Sequence, residues 1–381
     1  MNKKSILMIC PFASPNIGGV EAHLDKLINK LLKLDFKVNL VAYQPLTTKA
    51  KGPAIEKKGN LEIYRVQWFG YNLFHKLEPY FFATFFYLFP GLFLKSLFIY
   101  LKKHNDIDVI HAHGLTGALI AKILKKIHKK RTVVSTHAVY NFEKRNLLSV
   151  LVKFILKDFD KVLAVGETSK EELKYIGIPE EKLEIHPNWI DLNRFVPLDK
   201  IKCREHLGFD KNAFIVFYLG RLIDLKGVNV LLDVAKEVIP DINFVFAGDG
   251  PLSEAIKDVE KKCDNIFFRG KVDAVDIVMY YNLADIFVLP SQYNEGFATV
   301  ILESIACGVP VLVTNKGCVP WYVDSSVGDV IDPTKENIKG KILYYCNNPD
   351  KLKDKASLCR EYAKNKFSEK NFEVILKSYD E

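Results

Sequence analysis

Cysteine is scarce and poorly placed for a framework. Seven occur in 381 residues, at Cys10, Cys203, Cys263, Cys307, Cys318, Cys346 and Cys359. The odd number and the lack of any C-x-x-C pair support neither a disulfide framework nor a zinc site, so they read as reduced thiols in cytosol. No low-complexity tract and no repeat of 20–50 residues is present, which removes solenoids and fibrous chains. A chain that is 49% apolar and 26% charged is not disordered. At about 150 residues per domain its length suggests two domains. The start, Met1 to Cys10, runs from basic to apolar like a signal peptide, but the apolar part is too short and Pro11 ends it, so a first buried strand fits better.

The net charge of +8 hides an asymmetry. Residues 1–188 hold 29 Lys and Arg against 17 Asp and Glu, a surplus of 12, and the rest hold 25 against 29, a deficit of 4. One half therefore suits an anionic surface: nucleic acid, an acidic membrane leaflet or phosphates.

Apolar runs of strand length at 5–10, 38–43, 61–66, 107–111, 132–135 and 161–165 alternate with helical patterns, and the series restarts at 214–219, 243–247, 266–268, 285–289 and 310–313. Continuous apolar strands separated by helices imply parallel sheets covered on both faces. The reading is α/β, with two doubly wound domains meeting near Glu184 to Asn193, where Pro187 interrupts the pattern. The tail from about Asp350 to Ser378 reads as helix with a break near Ser368.

Residues 64–100 hold 15 of the 46 aromatics, and Tyr80 to Leu101 carries a single charge, Lys95. That length could span a bilayer. Pro90-Gly91, Lys95 and the position between strands of one sheet argue against a span. The alternatives are a buried helix pair or an aromatic surface that dips into the membrane interface.

Three segments carry the chemistry. Gly18-Gly19 lies between the first strand and an amphipathic helix, a place where backbone N–H groups can meet an anion. It lacks the G-x-G-x-x-G spacing and the P-loop Lys-Ser/Thr, which disfavours NAD binding and ATP hydrolysis. Arg221 and Lys226, after strand 214–219, stand at the carboxyl edge of a sheet and could clamp a diphosphate. Glu295 and Glu303 flank the start and the middle of a helix running to about Cys307. They lie about 12 Å apart along its axis, too far for a glycosidase pair. They should hold two parts of one extended ligand.

The segment Glu295 to Pro310 resembles the E-x7-E element of group 1 glycosyltransferases. The likeness extends along nearly the whole chain through Gly18-Gly19-Val20-Glu21, Asp108-Val-Ile-His111-Ala-His113, Gly220-Arg221-Leu222 with Lys226-Gly227, and Gly248-Asp249-Gly250-Pro251. It implies the GT-B fold, two facing Rossmann-like domains with a cleft between them: an acceptor-side domain at 1–188, a nucleotide-sugar domain at 189–365, and a last helix at 366–381 returning to the first domain. It also implies roles. Arg221 and Lys226 would neutralise the donor diphosphate, with Gly18 and Gly19 offering backbone N–H groups. Glu303 would bond the ribose, and Glu295 with the N–H groups of Gly296, Phe297, Ala298 and Thr299 would hold sugar and phosphate. The base would sit near Val272, and His113 would bond a sugar hydroxyl, while His111 is structural. The catalytic set is His113, Glu295, Arg221 and Lys226.

The expected activity is retaining transfer of a hexose from a nucleotide-diphospho-sugar, such as a UDP- or GDP-sugar, to a lipid-linked or membrane-associated acceptor. The donor is a co-substrate, and no other cofactor is expected. Metal dependence is not expected either, since two cations and a helix N-terminus can stabilise the leaving group and Asp106-Ile-Asp108 lies at the wrong end of its strand. The chain would work at the inner face of the cell membrane, held by residues 64–100 and by basic residues that include Lys122, Lys125, Lys126, Lys129, Lys130 and Arg131. A catalytically silent nucleotide-sugar-binding subunit is the alternative. Nucleic acid is not an expected partner, because the aromatics form an apolar run instead of interleaving with cations. Two departures from the family pattern are Asn188-Trp-Ile-Asp191 at the linker and Trp321, which stands where a Glu is frequent.

Overall fold

The structure, a computed structural model, describes residues 4–16, 18–46, 48–70, 73–77, 80–142, 146–238 and 242–380. It divides into two units: Met1–His186 with Phe372–Glu381, and Pro187–Asn371.

The first unit is built on eight strands: β1 (Ser5–Ile9), β2 (Lys37–Tyr43), β3 (Ile55–Lys58), β4 (Leu61–Val66), β5 (Val109–His113), β6 (Arg131–Ser135), β7 (Lys161–Ala164) and β8 (Leu183–Ile185). Their order is β3-β4-β2-β1-β5-β6-β7-β8, parallel throughout except for β3 against β4. The second unit has six parallel strands, β9 (Phe214–Leu219), β10 (Ile242–Ala247), β11 (Ile266–Gly270), β12 (Ile286–Leu289), β13 (Val311–Thr314) and β14 (Gly328–Ile331), in the order β11-β10-β9-β12-β13-β14. Every apolar run singled out in the sequence forms a strand. The three strands without such a run, β3, β8 and β14, all lie at sheet edges. Edge strands tolerate charge and glycine, so Ile-Glu-Lys-Lys and Gly-Asp-Val-Ile do not display the continuous apolar signature of a strand buried on both faces.

The aromatic segment is not interrupted at Pro90-Gly91. One helix, Phe81–Lys103, runs through it. The Tyr43 hydroxyl is spliced into its ladder there, accepting from the Leu92 N–H at 2.8 Å and donating to the Leu88 carbonyl at 2.7 Å. This bridge beside the proline keeps the polar backbone satisfied where the ladder is disturbed. Gly91 is needed for the approach, since a Cβ would lie 2.6 Å from the Trp68 ring. The helix is long and apolar enough to cross a membrane by length and composition alone, yet one side lies on the sheet, with Leu92 and Tyr100 fully buried. The other side is an exposed stripe of Phe82, Phe86, Leu94, Phe98 and Leu101. It is thus partly core and partly an apolar surface.

That helix packs on Gly114–Ile127, which packs on Leu147–Leu156. The last of the three adds a second exposed apolar stripe, Leu147, Val150 and Phe154. Between the stripes the basic cluster is smaller than the sequence suggested. Lys122 is buried and paired with Asp158 at 2.9 Å, Lys125 is paired with Asp160 at 2.8 Å, and Arg131 donates to the Ser378 carbonyl at 2.7 Å. Lys126 and Lys129 remain exposed.

Candidate functional site

In the second unit, five loops meet at the carboxyl edge of the sheet and are laced by backbone hydrogen bonds. Leu222 N–H donates to Asp249 O at 2.9 Å, Gly248 N–H to Gly270 O at 2.7 Å, Gln292 N–H to Leu225 O at 2.8 Å and Cys318 N–H to Glu295 O at 2.9 Å. The lacing depends on glycine at two tight points. Gly227 (φ +72°) and Gly317 (φ +65°) are left-handed, and a Cβ on either would lie 1.9 Å from Pro290 O or 2.2 Å from Glu295 O respectively.

This edge holds Lys226 and Glu295 together, with Nζ 2.7 Å from Oε1. Both are largely buried, at 14% and 5% side-chain exposure. Ser291 also donates to Glu295 Oε1, and the Tyr293 hydroxyl to Oε2 at 3.1 Å. The ammonium stands 5.0 Å from the Tyr293 ring centroid. Burial works against the Lys226 charge, but Glu295 and Tyr293 more than offset it and its pKa is raised. Arg221 lies exposed on the same loop as Lys226. Sequence reasoning missed Ser291 and Tyr293, for which no spacing gave a signal.

Glu303 has a different partner, the buried Tyr281 hydroxyl at 2.7 Å. The helix Thr299–Ala306 carries Glu303 but does not start at Glu295 as the sequence suggests; it starts after Ala298, whose N–H already donates to the Tyr322 hydroxyl at 3.2 Å, and Glu295 stands on the loop before it. Gly296 and Phe297 precede that helix and Thr299 opens it. Val272 follows β11, and its neighbour Arg269 is stacked within about 5.3 Å of Phe209 and Phe267.

The carboxyl edge of the first unit collects neutral rings. His113 ends β5 and places Nδ1 2.9 Å from Nε2 of His137. His23 lies with its ring centroid 6.3 Å from His113, 5.2 Å from His137 and 5.3 Å from His186. Burial, reinforced by the neighbouring imidazoles, holds His23 and His113 well below the usual histidine range; burial takes His137 down to about 4 and, with His137 beside it, His186 down to about 3. His111 is spent within the fold, between the Tyr379 hydroxyl at 2.7 Å and Ser135 Oγ at 3.0 Å. Asp108 accepts from the Ser5 N–H at 2.8 Å, away from this edge. Gly18 and Gly19 are exposed at the start of the helix Gly19–Lys33, next to Ile17, which lies outside the described residues. At Gly18 an added Cβ would lie 2.4 Å from a Glu21 carboxylate oxygen, while Gly19 has open space around it.

Residues 199–366 match the family described as glycosyl transferases group 1, and residues 17–194 match glycosyltransferase family 4. Among curated proteins, the phosphatidylinositol N-acetylglucosaminyltransferase GPI3 subunit of Saccharomyces cerevisiae is 24% identical over 358 residues, covering 88% of this chain and 75% of that one. The alpha-galactosylglucosyldiacylglycerol synthase of Streptococcus pneumoniae is 28% identical over 290 residues, covering 71% and 75%. Among solved structures, sucrose-phosphate synthase from Thermosynechococcus elongatus superposes with a TM-score of 0.81 at 19% identity, over 99% of this chain and 98% of that one. Anabaena HepE in complex with UDP does so at 0.77 and 19%, over 99% of each chain. These likenesses establish the GT-B fold.

Proposed function

The chain belongs to the group 1 glycosyltransferases, and from that premise we propose that it transfers a hexose, with retention, from a nucleotide-diphospho-sugar to a lipid-linked or membrane-associated acceptor. The observation that carries the reading is the buried Lys226–Glu295 pair on a laced loop edge next to Arg221. Glycosyl transfer breaks the bond between the anomeric carbon and a diphosphate oxygen, and charge grows on the leaving group. A prepositioned cation in a dry site stabilises that charge best. Lys226 then exchanges part of its Glu295 contact for the diphosphate, and Arg221 adds a planar fork from the exposed side. Glu295, fixed by Ser291 and Tyr293, orients the sugar, and Glu303 takes the ribose. His113, a neutral imidazole, bonds a sugar hydroxyl. The acceptor attacks from the face the diphosphate leaves, and a departing phosphate oxygen takes its proton. No step calls on a metal.

One relative is named as a phosphatidylinositol N-acetylglucosaminyltransferase subunit and another as the synthase of a galactosylglucosyldiacylglycerol, both lipid names. The exposed apolar stripes of the first unit, with Lys126 and Lys129 near them, suit an anionic leaflet and support the reading of a peripheral protein at the cytoplasmic face of the membrane. Because several relatives are named as subunits, a nucleotide-sugar-binding subunit without turnover is the second reading. Incubation with UDP-, GDP- and ADP-sugars and a lipid extract separates the two: sugar-dependent release of the nucleotide supports the enzyme, and binding without release supports the subunit. More sedimentation with anionic than with neutral liposomes supports the membrane clause, and equal sedimentation removes it.

A further inference from the structure

We infer that His23, His113 and His137 form a binding site for one divalent transition-metal ion of the zinc class. Three separate elements deliver these rings: the helix Gly19–Lys33, the end of β5 and the loop after β6. Each offers one ring nitrogen, and the three nitrogens lie within 4.8 Å of one another. Ligands held about 2.0 Å from a tetrahedral ion are about 3.3 Å apart, so small side-chain rotations close the set. The His113 and His137 nitrogens are already nearer than that, at 2.9 Å.

The chemistry of the donor set selects the ion. Imidazole nitrogen suits zinc, copper and nickel and is a poor match for magnesium or calcium. Two further observations point to a ligand. His113 is 1% exposed, and only its Nδ1, toward His137, is engaged, while its Nε2 has no hydrogen-bond partner among the described residues, so one N···N contact is all that an ion has to replace on this ring. His137 is held at φ +57°, a conformation that a non-glycine residue adopts at some cost and that is characteristic of functional sites. It is also the partly exposed member of the set and so provides the way in from solvent. Three protein ligands leave a tetrahedral ion one open position.

The set shares His113 with the sugar contact proposed above, so the test reads metal uptake itself and makes no reference to turnover. The full chain, stripped with chelator, is titrated with Zn²⁺ by calorimetry and with Co²⁺ by visible absorption. Saturation at one ion per chain and a tetrahedral Co²⁺ spectrum are expected, with His23→Gln and His137→Gln each weakening affinity roughly tenfold or more. The exposed His206→Gln in the second unit should leave it unchanged. No saturable uptake, or undiminished uptake in both cluster variants, overturns the proposal. If the variants do not fold, zinc-edge X-ray absorption on the loaded parent chain decides. A shell of three imidazole nitrogens supports the site, and a shell dominated by sulfur or oxygen contradicts it.

Discussion

The two units share one architecture and arm the same edge of it in opposite ways. In the first, the carboxyl edge gathers four histidines that burial keeps uncharged. In the second, it gathers a buried lysine–glutamate pair in which the glutamate keeps the ammonium charged in spite of burial. A parallel sheet fixes where loops converge, and the residue types on those loops then decide which chemistry the edge can host. Neutral imidazoles suit hydroxyls or soft cations. A buried ion pair with an exposed arginine beside it suits an anion that can divide the pair.

The comparison breaks most severely if the ion pair is not a unit. Glu295→Ala leaves a buried ammonium unpaired and should cost about 3–5 kcal/mol. Thermal or denaturant unfolding followed by hydrogen exchange should locate the loss in the second unit while protection in the first is kept; a uniform loss would contradict the pairing. Lys226→Ala should lower turnover by about 10²-fold, the order expected for lost stabilisation of a leaving group, and a rate near that of the parent would remove Lys226 from the mechanism.

Acid sharpens the contrast from the other side. His137 and His186 have pKa values below the unfolded value of 6.5, at about 4 and about 3, so the unfolded chain binds more protons below pH 6.5. Their stabilising effect is present above that value and is lost as pH falls toward the folded values. Between pH 6.5 and 5.5 the two together should cost the first unit about 2 kcal/mol, measured in chelator by urea unfolding. A flat profile across that window would mean that the cluster is more hydrated than its burial implies.

The smallest structural effect should come from the surface. Phe86→Asp on the exposed stripe should change stability by no more than about 0.5 kcal/mol and should reduce sedimentation with anionic liposomes. Binding equal to the parent's would show that the stripe does not face a membrane.

Legibility in the sequence followed the physics of each part. Strands buried on both faces announce themselves as apolar runs, so β1, β5, β9 and β12 could be read directly, whereas the edge strands β3, β8 and β14 could not. Glu295, Lys226 and Arg221 were legible because glycines and spacing mark their loops. That Lys226 and Glu295 pair was not, because the contact joins residues 69 positions apart. The histidine cluster left no local trace at all: His23, His113, His137 and His186 come from four distant segments and meet only when the sheet forms. The helix through Pro90 was misread as broken because the hydroxyl that bridges its ladder belongs to Tyr43, on another element.

The most direct measurement is calorimetric binding of UDP, GDP and ADP to the parent chain, Lys226→Ala and His113→Ala. If the charged edge of the second unit holds the donor diphosphate, Lys226→Ala weakens binding of the preferred nucleotide roughly tenfold or more, and His113→Ala leaves it unchanged. Undiminished binding in Lys226→Ala, or an equal loss in His113→Ala, would contradict the division of labour between the two edges.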